Sequence, residues 1–386
     1  MQKQIFRLRG LVFSYYAMQA VLLPFLPLYF AKQGYDSFQV GVLMMIGPFV
    51  AVFAQPMWGY ISDRMQTVKK IVFLLWVCTV LSSVVLFTAQ NFAVSITFSL
   101  LLYFFMMPSS PLLDGLTITS ASNANISYGS IRMWGSIGFT VVAITAPFAI
   151  NAIGGILNIK YIYWAVWLPA FIFLFLVKDV PSKGASITLK SFKSIFANRS
   201  FLFFLLMVFI LMIPHRMNDG LYGLHLSSLG ATATMVGWAW AIAAFGEVPA
   251  FALLGKYMHK FNELALLGVA GGLYALRWVV YALVQDPWLL MFLQVTASFT
   301  FGVFWVTAVS YAVRLVPEHL RSTGQSVLAA VFLGLAGITG GSAGGWIRGE
   351  YGGAGMYWFG AVLAAVASGM FFYAQAAERK NMSEVT

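Results

Sequence analysis

Charge is what this chain has least of: charged residues make up 9% of its 386 positions, with 12 acidic against 23 basic. An ordinary soluble domain carries about 25% charged and about 45–50% apolar residues, whereas 60% of this chain is hydrophobic. So few charges cannot clothe that much apolar surface in water, and a soluble fold is excluded. Cysteine is nearly absent too: Cys78 stands alone, which rules out an intrachain disulfide and a structural metal site of clustered cysteines. No glycine-rich phosphate loop, nucleophile elbow or metal-ligand cluster occurs, which argues against an enzyme. No metal or cofactor is expected.

What is present is a series of long apolar runs. Twelve can be counted, near 10–30, 38–60, 71–89, 92–119, 128–155, 159–177, 200–229, 234–255, 263–284, 287–313, 322–347 and 354–377. As helices, runs of about 18 residues or more cross a hydrocarbon layer of about 30 Å. The first follows Lys3, Arg7 and Arg9 as a signal peptide would, yet Pro24 and Pro27 stand where a small-residue cleavage site is wanted. It is read as a retained helix. The expected fold class is an all-α polytopic membrane protein.

Basic residues orient these helices. With both termini cytoplasmic, the cytoplasmic segments hold 17 Lys and Arg and the opposite side holds only Lys32, Lys160 and Arg348. That bias is the positive-inside pattern. The net charge of +11 is then an insertion signal, dealt out to alternating loops rather than gathered on one face for nucleic acid. No nucleic-acid partner is expected.

The segment 178–199, "KDVPSKGASITLKSFKSIFANR", separates six runs from six more. It reads as a cytoplasmic linker between residues 1–177 and 200–386, either a solvated tether or an interfacial helix with Leu189, Phe192 and Phe196 on its apolar side. The two parts repeat each other. Gly41 in "QVGVLMM" matches Gly237 in "MVGWAWA", and Gly59 matches Gly255, both at an offset of 196 residues; Gly129 matches Gly324 at 195. Two six-helix pseudo-repeats with a solute site between them at mid-depth are a transporter architecture.

The loop "GYISDRMQTVKK", with Gly59, Asp63 and Arg64, resembles the cytoplasmic loop signature of the major facilitator superfamily, although Gln66, Thr67 and Val68 depart from it. "GKYMHKFN" from Gly255 looks like its degenerate echo. The resemblance covers essentially the whole chain. It implies the twelve-helix major facilitator fold, gating by Gly59, Asp63 and Arg64, and a close helix approach at Gly59.

Six formal charges lie inside the runs. At about 2.5–3.5 kcal/mol each, they would cost roughly 15–21 kcal/mol facing lipid, so they pair or line water. Asp114 follows Pro108 and Pro111 on the fourth run; Arg132 opens a face of the fifth run continued by Ser136 and Phe139. "YGSIRMWGSIGF" resembles the fifth helix of lactose permease and its nucleoside and phenylpropionate relatives, and the interval of 18 residues from Asp114 to Arg132 matches that branch. The resemblance implies that both bind substrate, with Phe139 where lactose permease presents a tryptophan. His215, Arg216 and Asp219 can meet on the seventh run. Trp240 and Glu247 lie on the eighth, Arg277 on the ninth between Tyr274 and Tyr281, and Gln294 and Ser298 on the tenth.

The tenth run lacks the histidine and glutamate that couple protons in lactose permease. A proton would then be carried by Glu247, Asp219 or Asp114. The expected function is proton symport into the cell of a small polar or aromatic solute, such as a sugar, nucleoside or aromatic carboxylate, by a monomer in a bacterial inner (plasma) membrane. The alternative is a proton-coupled drug or metabolite exporter, though the glycine-rich run ending in Gly-Pro that such antiporters carry on the fifth helix is poorly matched. A transport-inactive sensor would be expected to carry a soluble signalling domain, and no segment here has that composition.

Overall fold

The computed structural model describes residues 2–126, 128–179, 197–257, 261–317 and 321–383, with side chains described except at 247–257, 322–323 and 381–383. Among these residues the apolar runs are helices: α1 Gln2–Lys32, α2 Ser37–Met65, α3 Lys69–Leu86, α4 Phe92–Asn123, α5 Gly129–Ala152, α6 Ile156–Leu176, α7 Arg199–Ser228, α8 Ala233–Tyr257, α9 Glu263–Leu283 and α10 Pro287–Leu315. The last two, α11 (324–351) and α12 (353–380), form one 57-residue stretch. It turns at Gly352, whose φ of 71° lies in the left-handed region that only glycine enters cheaply. The twelve runs are thus twelve helices. α1 begins earlier than its apolar run because the basic segment through Lys3, Arg7 and Arg9 continues the helix beyond the hydrocarbon.

Short polar side chains start five of these helices, since free backbone N–H groups at a helix end must find a partner. Asp36 and Gln39 form a reciprocal capping box on α2, and Asn91, Asn198, Asn262 and Asp286 cap α4, α7, α9 and α10. The linker reading, with Leu189, Phe192 and Phe196, falls on residues outside those described.

α1 packs on α5 and α6, and α2 and α3 on α4, while α7 and α9 pack on the α11–α12 stretch and α8 on α10. The halves meet through α2 with α11 and α5 with α8. Glycine makes both contacts possible. A Cβ on Gly41 would stand 2.4 Å from the Gly341 carbonyl oxygen, and one on its repeat-mate Gly237 would stand 2.3 Å from that of Ala143. Repeated glycines therefore become equivalent seams between the halves.

Both seams lie toward one end of the bundle. Along α2, contact with the second half continues as far as Val52, against which Gly334 packs, and beyond it Phe53, Met57 and Tyr60 are exposed. Along α5, Phe148 meets Trp238 and Phe139 meets Trp240, whereas Met133 is exposed. Among the described residues, the halves close at the end holding Gly41 and Gly237 and part toward the end holding the N-terminus.

Arg348 reinforces the closed end. Its guanidinium donates to Ser37 Oγ of the first half at 2.6 Å and to the Leu224 carbonyl of the second at 3.0 Å. Charged hydrogen bonds contribute about 1.5–3 kcal/mol each. Arg348→Ala is expected to loosen this end, raising by at least about tenfold the labelling rate of a cysteine placed at Ser136 and probed from the Arg348 side, in a background lacking Cys78. Unchanged labelling would show that the seams alone hold the end shut.

Candidate functional site

Among the described residues, four helices are irregular at points that border a cavity. α1 breaks at Leu23–Phe25, α4 at Met107–Pro108 and α10 at Gln294, and α11 contains a π-helical turn, Ala330–Leu335. Broken backbone is tolerated in a membrane where it is buried in protein or lines a wet cavity. Leu23, Gln294 and Phe332 line a central cavity of about 470 Å³ between the halves. Met107 lines a neighbouring one of about 240 Å³ that shares Leu23, Arg216, Asp219 and Trp240 with the first.

From the first half, Arg132, Ser136 and Phe139 reach the central cavity along one face of α5. The Arg132 guanidinium lies 4.1 Å over the Tyr16 ring. Gly135 leaves room for this, because a Cβ there would stand 2.5 Å from that ring. Asp114 lies behind the lining, its Oδ1 4.0 Å from Arg132 Nε and accepting a hydrogen bond from Tyr128 at 2.9 Å. The carboxylate thus faces the back of the arginine and leaves the other edge of its fork toward the cavity.

The second half supplies His215, Asp219, Trp240, Arg277 and Gln294. On α7 the three polar groups do meet: Arg216 donates to Asp219 Oδ2 at 2.8 Å, and His215 Nε2 stands 3.6 Å from the same oxygen. The His215 ring stacks on Phe301 at 5.1 Å, and its Nδ1 is 3.3 Å from Tyr274 Oη. Tyr274 therefore braces the histidine. Arg277 donates to Gln294 Oε1 at 2.7 Å, Tyr281 Oη at 3.2 Å and Thr300 Oγ1 at 3.4 Å. This is a cradle of neutral oxygens. Ser298 donates to the Ala243 carbonyl at 2.8 Å and so ties α10 to α8 away from the lining. The Glu247 side chain lies outside the described residues; in α8 the residue falls one helical turn beyond Ala243, which lines the cavity.

Phe139 and Trp240 approach across the cavity, ring centroids 6.2 Å apart. With Phe301, Phe332 and Tyr16 they give aromatic walls between the charged groups. Apolar walls with a few convergent polar groups are the usual form of a small-molecule site. Tyr16, Gln19, Asn218, Phe301 and Phe332 were not expected from sequence. A polar residue inside an apolar run was the available signal for Gln19 and Asn218. The aromatic residues gave none, because Phe and Tyr face lipid as readily as a cavity.

The loop after α2 lies at the open end. Among the described residues, a Cβ on Gly59 would meet nothing within 4 Å, so none of them makes the close approach expected there. Gln66, at φ 52°, ends α2 and donates from its side chain to the Asp63 carbonyl at 2.7 Å, while Arg64 is exposed. The next helix is capped from a distance: Asp179, just past α6, accepts from the backbone N–H groups of Val68 and Lys69 and from Thr67 Oγ1.

Known proteins share this fold. A profile described as the MFS_1 like family matches residues 5–359. The chain is 26% identical over 371 residues to the uncharacterized transporter YwbF of Bacillus subtilis, covering 93% of this chain and 90% of that one. It is 28% identical over 319 residues to the maltose permease of Geobacillus stearothermophilus, covering 81% and 80%. Among solved structures, a variant of the nucleoside transporter NupG superimposes with a TM-score of 0.86 at 16% identity, covering 96% of this chain and 99% of that one, a likeness of fold. The chain belongs to the MFS_1 like family and is an integral membrane transporter of the major facilitator superfamily.

Proposed function

We propose that this protein imports a small polar or aromatic solute together with protons, by rocking its two halves about the central cavity. The observation that carries the reading is the lining itself: Arg132 from one half and Arg216, Asp219 and Arg277 from the other face a common space with aromatic walls. A guanidinium fork suits hydroxyl, carbonyl or carboxylate oxygens, and rings suit the flat faces of sugars, nucleobases and aryl groups. Relatives named for maltose and nucleoside transport support the same solute classes. Both termini are cytoplasmic in this reading, and the cavity opens inward. The protein acts as a monomer in a bacterial inner membrane, its halves spanning 1–177 and 200–386. A thermal-shift screen of sugars, nucleosides and aromatic acids tests the solute class, since a ligand at 100 times its Kd stabilises by about 2.7 kcal/mol.

Proton coupling is assigned to Glu247, with Asp219 and Asp114 as the other titratable carboxylates of the site. In proteoliposomes an inward proton gradient is expected to drive accumulation of the identified solute, and a protonophore to abolish it. Glu247→Gln should keep solute binding and exchange while losing uphill transport. Full accumulation by that variant would move the coupling to Asp219 or Asp114. Concentrative uptake indifferent to the gradient would end the symport reading, and gradient-driven efflux would favour the exporter.

A further inference from the structure

Away from the solute path, a second cavity of about 530 Å³ opens between the N-terminal end of α3 and the C-terminal end of α6. Its lining combines Lys69, Lys70 and Lys178 with Phe73, Phe175 and Leu176. The two rings pack 5.2 Å apart and both are exposed on the flank of the bundle, Phe175 at 60%. We propose that this cavity seats the headgroup of an anionic phospholipid, its phosphate on Lys70 and Lys178 and its chains along Phe73 and Phe175.

The backbone at this corner is already satisfied. Lys69 Nζ donates to the carbonyls of Phe175 at 2.6 Å and Val177 at 2.9 Å, and Arg7 donates to that of Leu176 at 3.0 Å. The first N–H groups of α3 go to Asp179, whose carboxylate is spent on them. Lys69 and Arg7 are thereby fixed as structural cations on the end of α6. Lys70 and Lys178 are different: both are exposed, and neither side chain has a hydrogen bond or ion pair among the described residues. Three lysines thus line the hollow with one carboxylate, Asp179, while Arg7 lies close by on the Leu176 carbonyl, and the flank of the hollow must meet lipid. Basic pockets between transmembrane helices hold anionic headgroups by this combination, each basic residue near the surface contributing on the order of a fivefold gain in affinity. The exposed Phe73 and Phe175 rings beside them offer apolar surface to acyl chains.

Native mass spectrometry of the full-length protein in detergent, titrated with phosphatidylglycerol or phosphatidylcholine, tests the assignment. Phosphatidylglycerol is expected to remain bound to the wild type and phosphatidylcholine to be stripped. K70Q/K178Q should bind phosphatidylglycerol roughly 30-fold more weakly, K70R/K178R should retain it, and K32Q/K160Q at the opposite end should behave as wild type. Wild-type phosphatidylglycerol binding by K70Q/K178Q would overturn the site, as would equal retention of the two lipids. Displacement of the lipid by equimolar inorganic phosphate would also overturn it, by assigning the cavity to a free anion.

Discussion

Gly237→Val is expected to abolish solute transport while leaving a folded, inserted protein. A Cβ at this position would stand 2.3 Å from the Ala143 carbonyl oxygen, 2.8 Å from Pro147 Cγ and 3.0 Å from the Phe25 ring. Two of these are parts of a backbone-locked helix and a proline, which cannot swing away as a flexible chain end would. Overpacking of this kind costs about 1–3 kcal/mol, enough to shift an equilibrium between two arrangements of the halves by roughly five- to over a hundredfold. The strain exists only when α5 and α8 are pressed together, so the protein can relieve it by parting the halves at that end. Gly41→Val should give the same phenotype through α2 and α11, where the Gly341 carbonyl and Gly345 Cα stand 2.4 and 2.8 Å away. Thiol labelling of a cysteine at Ser136 from either side of the membrane reads the shift directly. Wild-type transport and labelling in both variants would show that the seams yield and that closure rests elsewhere.

Arg132→Lys is the second large effect: solute affinity should fall roughly ten- to a hundredfold with little change in melting temperature. The charge survives, but the planar fork does not, and hydrogen bonds to charged groups contribute about 1.5–3 kcal/mol each. The geometry argues against a purely structural pair. Arg132 and Asp114 are 4.0 Å apart and both about one-third exposed, so their mutual attraction is screened and weak. Asp114→Asn should act less strongly and through Arg132, by releasing the guanidinium from its place over Tyr16. In a structural pair, either single change would leave an unpaired buried charge, and the Asp114→Asn, Arg132→Met double variant would recover both folding and binding. Affinity and melting temperature of the two single variants and the double variant decide the matter. A double variant with wild-type affinity would mean that the pair only holds α4 against α5.

The membrane class, the twelve helices and the superfamily were legible in the chain because they follow from local quantities: run length, scarcity of charge and glycines repeated at an interval of 196 residues. The polar part of the cavity lining was legible for a related reason. Arg132, His215, Asp219 and Arg277 are conspicuous in apolar helices because facing lipid would be costly. Arg216 beside Asp219, Tyr281 beside Arg277 and Asp114 beside Arg132 were legible with them; the other partners were not. Tyr274 reaches His215, Ser298 reaches the Ala243 carbonyl, and Gln294 and Thr300 reach Arg277.

Helical spacing says which residues share a face and says nothing of which neighbour that face meets. The aromatic wall depends on that second fact, since Phe301 and Phe332 are ordinary apolar residues until α10 and α11 turn them inward. The same holds for Gly59, whose loop signature was plain while its surroundings depend on which end of the bundle is closed. Sequence alone therefore determined what must span the membrane and which side chains could not face lipid, because each residue carries its own cost of transfer. Only the packing of helix against helix decided which end is shut, which rings line the cavity and which oxygens of α10 hold Arg277, because those are properties of helices that meet in space and not of neighbours in the chain.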